Sequence, residues 1–126
     1  MAPDDSILLH WPGEGVFEAS GLTVDWARES NAQMAMRVDY RLEQALSGPV
    51  MMGMACGKGC SVEFPLDISA AEVSRWTTRT IKLRCFEDLG LDLRNIDKPF
   101  YLYSAGGNKL SISFIGLETS VGGTTC

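Results

Sequence analysis

The second half of the chain is a succession of short apolar runs, each closed by turn residues: SGPVMMGMACGKGC, SVEFPLDISAAEV, RWTTRTIKLRCFEDLGLDL, KPFYLYSAG and KLSISFIGLE. Apolar and polar residues alternate along several of them, and Gly, Pro, Asp and Asn interrupt them. Alternation of this kind buries one face of a strand, and frequent breaks leave no room for long helices. The first half adds the clearest case. Met34, Met36, Val38, Tyr40 and Leu42 fall on one side of an extended segment, and Ala35, Arg37, Asp39, Arg41 and Glu43 on the other. The pattern predicts an all-β chain of about eight strands, folded as an antiparallel two-sheet β-sandwich of the jelly-roll type.

Further strands are expected over Ser6 to His10, Gly15 to Ala19, Val50 to Cys56, Val62 to Leu66, Arg79 to Phe86, from Pro99 through Tyr103, and Leu110 to Leu117. RESNAQ reads as a polar loop. DISAAEVS reads as a turn or two of helix with Asp67 or Ser69 as N-cap. A helical turn is expected from Phe86 to Leu89, stopped by Gly90. Ala105-Gly106-Gly107-Asn108 reads as a hairpin-type turn. The Ser, Gly and Thr beyond Glu118 read as disordered.

A chain of 126 residues suits one domain, 1–126, large enough to bury a core without staples. Its net charge of −5 argues against polyanion partners, since nucleic acid and anionic membrane are gripped by basic stripes. No apolar run has the length of a bilayer span. MAPDDSILLHW lacks the basic region and apolar core of a signal peptide.

No catalytic arrangement stands out. His10 is the sole histidine, no serine sits in a GxSxG elbow, and neither GEG nor SAGGNK has the spacing of a phosphate loop. Glu18, Asp25, Asp39, Glu63 and Asp67 supply carboxylates, but nothing in the sequence pairs any two of them as a glycosidase needs. A metal is not expected. Calcium would draw on Glu18 and Glu118, and zinc lacks a second histidine. In CGKGC, Gly57 and Gly59 give Cys56 and Cys60 the backbone freedom to close a tight loop, which favours a Cys56–Cys60 disulfide over two free thiols in a turn. Cys85 alternates with Leu83 and Ile81 and reads as a small buried hydrophobe.

What remains is binding. Sugars are held by aromatic rings against their CH faces and by planar polar groups on their hydroxyls. Tyr101 and Tyr103 alternate with the core-facing Phe100 and Leu102. Trp76 has the opposite parity to Ile81 and Leu83. Trp26 borders a polar loop, and Trp11 precedes a turn. Arg37, Asp39, Arg41, Lys82 and Arg84 lie on the polar sides of two strands, as hydrogen-bonding groups or as cross-strand pairs. The candidate ligand-binding set is Trp76, Trp26, Tyr101, Tyr103, Trp11, Arg37 and Asp39. For each tryptophan taken singly, core or rim packing is an equal alternative.

The chain resembles the C-terminal accessory domain of bacterial family 3 exo-β-glucosidases, which has a galactose-binding-like β-sandwich fold. The resemblance rests on HWPGEG, VDWARES, VDYRLEQALSGPVMMGMACGKGC, WTTRTIKLRCFEDLGLDL, KPFYLYSAG and LSISFIGLE, from about Ser6 to Glu118. Arg79 and Lys82 stand where the family pattern has an apolar residue and a proline, and Trp26 stands where it has an aliphatic one. The resemblance implies a non-catalytic carbohydrate-binding module for β-glucan-type plant polysaccharides, namely cellulosic, mixed-linkage or xyloglucan chains. It implies no cofactor, an attached glycoside hydrolase as partner, and an extracellular or periplasmic location within a secreted enzyme. The alternative is a structural accessory domain of a β-glucosidase that binds no sugar on its own.

Overall fold

The computed structural model describes residues 7–19, 24–31, 34–44, 47–66 and 73–119. The strands are β1 (Ile7–Trp11), β2 (Gly15–Ala19), β3 (Met34–Leu42), β4 (Val50–Ala55), β5 (Ser61–Pro65), β6 (Trp76–Lys82), β7 (Lys98–Ser104) and β8 (Asn108–Thr119). They form two four-stranded antiparallel sheets, ordered β1-β8-β3-β6 and β2-β7-β4-β5. The two-sheet sandwich expected from the alternation is therefore what forms. Strands β4 and β5 are joined as a hairpin, whereas the other connections carry the chain from one sheet to the other. Each strand consequently needs one apolar face, and that requirement is what the sequence displays.

The core lies between the sheets. Met36, Val38, Tyr40 and Leu42 of β3, Ile81 of β6, and Leu110 and Ile112 of β8 pack against Val50, Met52 and Met54 of β4 and Phe100 and Leu102 of β7. Phe86 closes one end, edge-on to Phe64 at 5.0 Å between ring centres. β3 follows the alternation throughout and is flanked by β8 and β6, so its polar residues lie on the outer face of a sheet rather than at an edge.

Several local expectations change. The polar loop after Trp26 contains a short helix, α1 (Ala27–Asn31), whose entry is fixed by Asp25 accepting a 2.9 Å bond from the Ala27 N–H. The strand expected over Arg79 to Phe86 stops at Lys82, and α2 (Leu83–Asp88) follows directly. Leu83 and Phe86, three residues apart, share a helical face turned to the core; Cys85 is buried as well, but is disulfide-bonded rather than the simple hydrophobe expected. The stop at Gly90 holds. That residue has φ +104°, and the N–H groups of Leu89, Gly90 and Leu91 close onto the carbonyls of Phe86 and Glu87. Ala105-Gly106-Gly107-Asn108 is not a hairpin, because β7 and β8 belong to different sheets. Of the helix expected over Asp67 to Ser74, residues 67–72 fall outside the described residues, while Val73 bridges to Leu42 and Ser74 is in a turn at φ +66°, so its end is not helical; the segment beyond Thr119 also falls outside.

The expected disulfide is present. Cys56 and Cys60, with Cα atoms 5.1 Å apart, tie off the β4–β5 hairpin. Gly57 at φ +102° and Gly59 at φ +78° supply the left-handed conformations that the loop requires. Asp97 accepts a 3.0 Å bond from the Gly57 N–H and anchors the turn to the segment before β7. Replacing both cysteines by serine is expected to cost roughly 2 kcal/mol, the loop-closure value for so short a ring, read as a lower urea midpoint with an unchanged slope.

Candidate functional site

The outer face of the β1-β8-β3-β6 sheet carries a built array of polar and aromatic groups. β3 supplies its centre. Arg37 lies across from Thr80 on β6 and Gly116 on β8, Asp39 across from Thr78 and Phe114, and Arg41 across from Trp76 and Ser111. Arg37 forks onto Asp39 with bonds of 2.9 and 2.5 Å and reaches Glu118 at 3.2 Å. Thr78 donates to Asp39 at 2.7 Å. Arg41 donates twice to Glu43, at 3.0 and 2.9 Å, and Ser111 donates to the same oxygen at 2.5 Å. Each guanidinium lies 4.9 Å from the centre of a ring, Arg37 over Phe114 and Arg41 over Trp76. Both rings remain in contact with solvent, Trp76 at 38% and Phe114 at 37% exposure.

Phe114 is there because β8 carries a bulge. Asp39 pairs with Phe114 but Tyr40 pairs with Ile112, so Ser113 is the extra residue and the side-chain alternation reverses after it. Strict alternation with Leu110 and Ile112 would have sent Phe114 inward. Gly116 leaves room for the ring, because a Cβ there would stand 3.0 Å from it. A glycine inside a strand is the sequence signal by which this close approach could have been found.

The electrostatics hold the array in place. Burial pulls the Asp39 carboxyl upward, but the bonds from Arg37 and Thr78 outweigh it and keep it below the usual carboxylate range. The Ser111 hydroxyl, with Arg41, holds Glu43 low as well. The bonds to Asp39 and Glu118 push Arg37 further toward its charged form. Depressed carboxyls stabilise the fold above their ordinary pKa near 4, and that stabilisation is lost as pH falls through their lower folded values.

The other expected site residues are dispersed. Trp76, Arg37 and Asp39 share the face just described. Tyr101 and Tyr103 point outward as expected, but from the opposite sheet. Trp11 is 7% exposed and belongs to the core. Trp26 packs against the core too, with its backbone N–H bonded to the Leu93 carbonyl at 2.6 Å. Glu18 and Glu118 stand on outer faces of different sheets, too far apart to share a cation. Of the other acids, Asp25 caps α1, Glu63 accepts from Tyr101, and Asp67 lies outside the described residues.

On the second sheet, Tyr101 lies over Gly53, where a Cβ would meet its ring at 2.5 Å, and donates to Glu63 at 2.7 Å. Burial, together with that bond, pushes its phenol up to about 12. Tyr103 donates to Glu14, and that bond raises its phenol too. Phenols shifted upward are donors, not nucleophiles. A raised pKa stabilises the fold fully below the ordinary value of 10.0 and is lost as pH rises through about 12. Absorbance at 295 nm should therefore show a tyrosine titrating near 12 that is missing in Tyr101→Phe.

Among the described residues no helix is long and apolar enough to cross a membrane. No curated protein matches the sequence. Solved structures share the fold. The exo-1,3/1,4-β-glucanase ExoP of a Pseudoalteromonas species superposes with a TM-score of 0.70 at 14% identity, over 95% of this chain and 14% of that one. The extra C-terminal domain (X) of the same enzyme gives 0.69 at 15% identity, over 92% of this chain and 64% of that one. PfGH50B gives 0.58 at 15% identity, over 94% of this chain and 19% of that one. The chain thus spans about a seventh of the length of the whole glucanase. The family model described as galactose-binding domain-like, Exop_C, matches residues 2–117, nearly the whole sequence. In agreement with the resemblance carried by its strand and turn motifs, the chain belongs to this galactose-binding domain-like family.

Proposed function

We propose that the chain is a non-catalytic carbohydrate-binding module that recognises β-glucan-type polysaccharides on the outer face of the β1-β8-β3-β6 sheet. The observation that carries this reading is the array itself: two solvent-touching rings, Trp76 and Phe114, set diagonally across two charge-locked arginines. From strand geometry, their backbones are roughly 12 Å apart, two residues along and two strand spacings across. That span exceeds one sugar ring, so the face suits linked sugars lying across it. The rings would take the CH faces. Arg37, Arg41 and Glu118 would meet the hydroxyls without moving, because their bonds to one another and to neighbouring acids already fix them. An exposed, nearly flat face with its acids tied to arginines offers no free pair for hydrolysis.

Family membership and the glucanase named among the structural neighbours support cellulosic, mixed-linkage or xyloglucan chains as ligands. They also support a catalytic glycoside hydrolase domain as partner, within an enzyme acting outside the cytoplasm. The module would hold that partner near polymeric substrate and raise its effective concentration. One observation favours a second reading, a structural accessory domain without sugar affinity: Ile7 and Leu8, on an edge strand, are 56% and 55% exposed, as a docking surface would be. Affinity electrophoresis of the chain in gels containing β-glucan, xyloglucan, xylan or no polysaccharide tests between them. Retardation in β-glucan or xyloglucan gels is expected. Equal mobility in every gel leaves the structural reading.

A further inference from the structure

A cleft of about 330 Å³ lies on the other side of the molecule, where the disulfide turn overhangs the outer face of the β2-β7-β4-β5 sheet. It is lined by Tyr101 and Ala55, by Val16, Glu18 and Lys98, and by the disulfide turn from Gly57 to Ser61, Lys58 included. Three features make it a built recess rather than a fold in the surface. Gly53 alone lets the Tyr101 ring lie down as a floor, since a Cβ there would stand 2.5 Å from it. The Cys56–Cys60 disulfide and the Asp97 bond to the Gly57 N–H fix the overhanging turn. The Lys98 ammonium and the Glu18 carboxylate sit 3.2 Å apart, so a donor and an acceptor are held side by side with no net charge between them.

We propose that this cleft is a second binding site, independent of the Trp76 face, that takes a single neutral sugar residue, such as the end of a chain or a branch. Its volume is at the small end of ligand sites, which run from about 300 to 1,000 Å³. That matches one sugar ring seated in the recess better than a long stretch of chain. The apolar atoms of Val16, Ala55 and Tyr101 suit a CH face, while Glu18, Lys98 and Ser61 suit neighbouring hydroxyls. A neutral polyol bonds to both members of the Lys98–Glu18 pair as they stand, and Lys58 on the turn adds a further donor. With sites on two opposite faces, one module can hold a chain along one sheet and a chain end on the other.

The test is a titration of the ¹⁵N-labelled 126-residue chain with methyl β-glucoside and, separately, methyl β-galactoside. Saturable amide shifts are expected at Gly59, Ser61, Lys98 and Tyr101 with at least one of them. The same shifts should persist in Trp76→Ala. Val16→Trp, which fills the cleft from an exposed position, should weaken them at least tenfold, as should Lys98→Met, and spectral dispersion shows that either variant is folded. Absence of saturable shifts with both glycosides, shifts confined to β3, β6 and β8, or binding undiminished in both folded variants would overturn the proposal. Each site has its own residues, so failure here leaves the Trp76 face untouched, and the reverse also holds.

Discussion

Replacing Trp76 and Phe114 together by alanine is expected to weaken binding of a β-glucan oligosaccharide by about a hundredfold, from roughly 1.5 kcal/mol per ring. Each ring is already held by an arginine against one of its faces, so little ordering remains to be done on binding. Either single variant should lose about tenfold, and the losses should add, since the rings sit on different strands with β3 between them. The fold should survive, because both side chains are more than a third exposed and outside the core. Calorimetric titration of the single and double variants with one oligosaccharide reads the effect, and thermal melts confirm the fold.

Asn108→Ala is expected to destabilise the chain by about 3 kcal/mol, or on the order of 10 °C in melting temperature. Asn108 and Ser104 are fully buried at the corner where β7 hands the chain to β8 in the other sheet. The Asn108 amide donates to the Ser104 hydroxyl at 2.7 Å and to the Gly48 carbonyl at 3.1 Å, and its oxygen accepts from the Ser47 N–H at 2.9 Å. One side chain thus joins the corner to the turn that leads into β4. Alanine leaves buried polar groups without partners, each a cost of about 1–3 kcal/mol. Asn108→Asp keeps the shape but removes both donated bonds and buries a charge, so it should be at least as damaging at neutral pH. Urea unfolding of the two variants separates loss of bonding from loss of volume.

That corner also shows where the sequence stops being legible. Gly-Gly-Asn after an alternating run reads as a hairpin, because local turn chemistry is the same whether the chain reverses within a sheet or crosses to another. What decides is the inward Asn108, whose partners at Ser47 and Gly48 lie far away in sequence. α2 was hidden for a different reason. Its six residues are too few to show a helical period, and Ile81, Leu83 and Cys85 continue the alternation of β6 by accident. By contrast β3 was plain, since nine residues of unbroken alternation admit one register only.

The candidate face was half visible. The parity of Trp76, Arg37 and Asp39 follows from the alternation that defines β3 and β6, and the structure sets them on one surface. Phe114 was not visible, because a bulge at Ser113 reverses the alternation that a regular strand would keep. Grouping the tryptophans and tyrosines into one set also failed. Trp11 and Trp26 fill the core and its margin, and the two outward tyrosines belong to the other sheet. Composition counts aromatics, but only strand order says which of them share a face.

The most direct measurement of the central claim is the tryptophan emission of the chain during titration with a mixed-linkage β-glucan oligosaccharide, with acrylamide quenching at each end point. Of the three tryptophans, Trp76 is the exposed one. A saturable change in emission and protection from quenching are expected, both lost in Trp76→Phe. A wild-type chain whose emission never saturates, or a change that persists undiminished in Trp76→Phe, would contradict the claim.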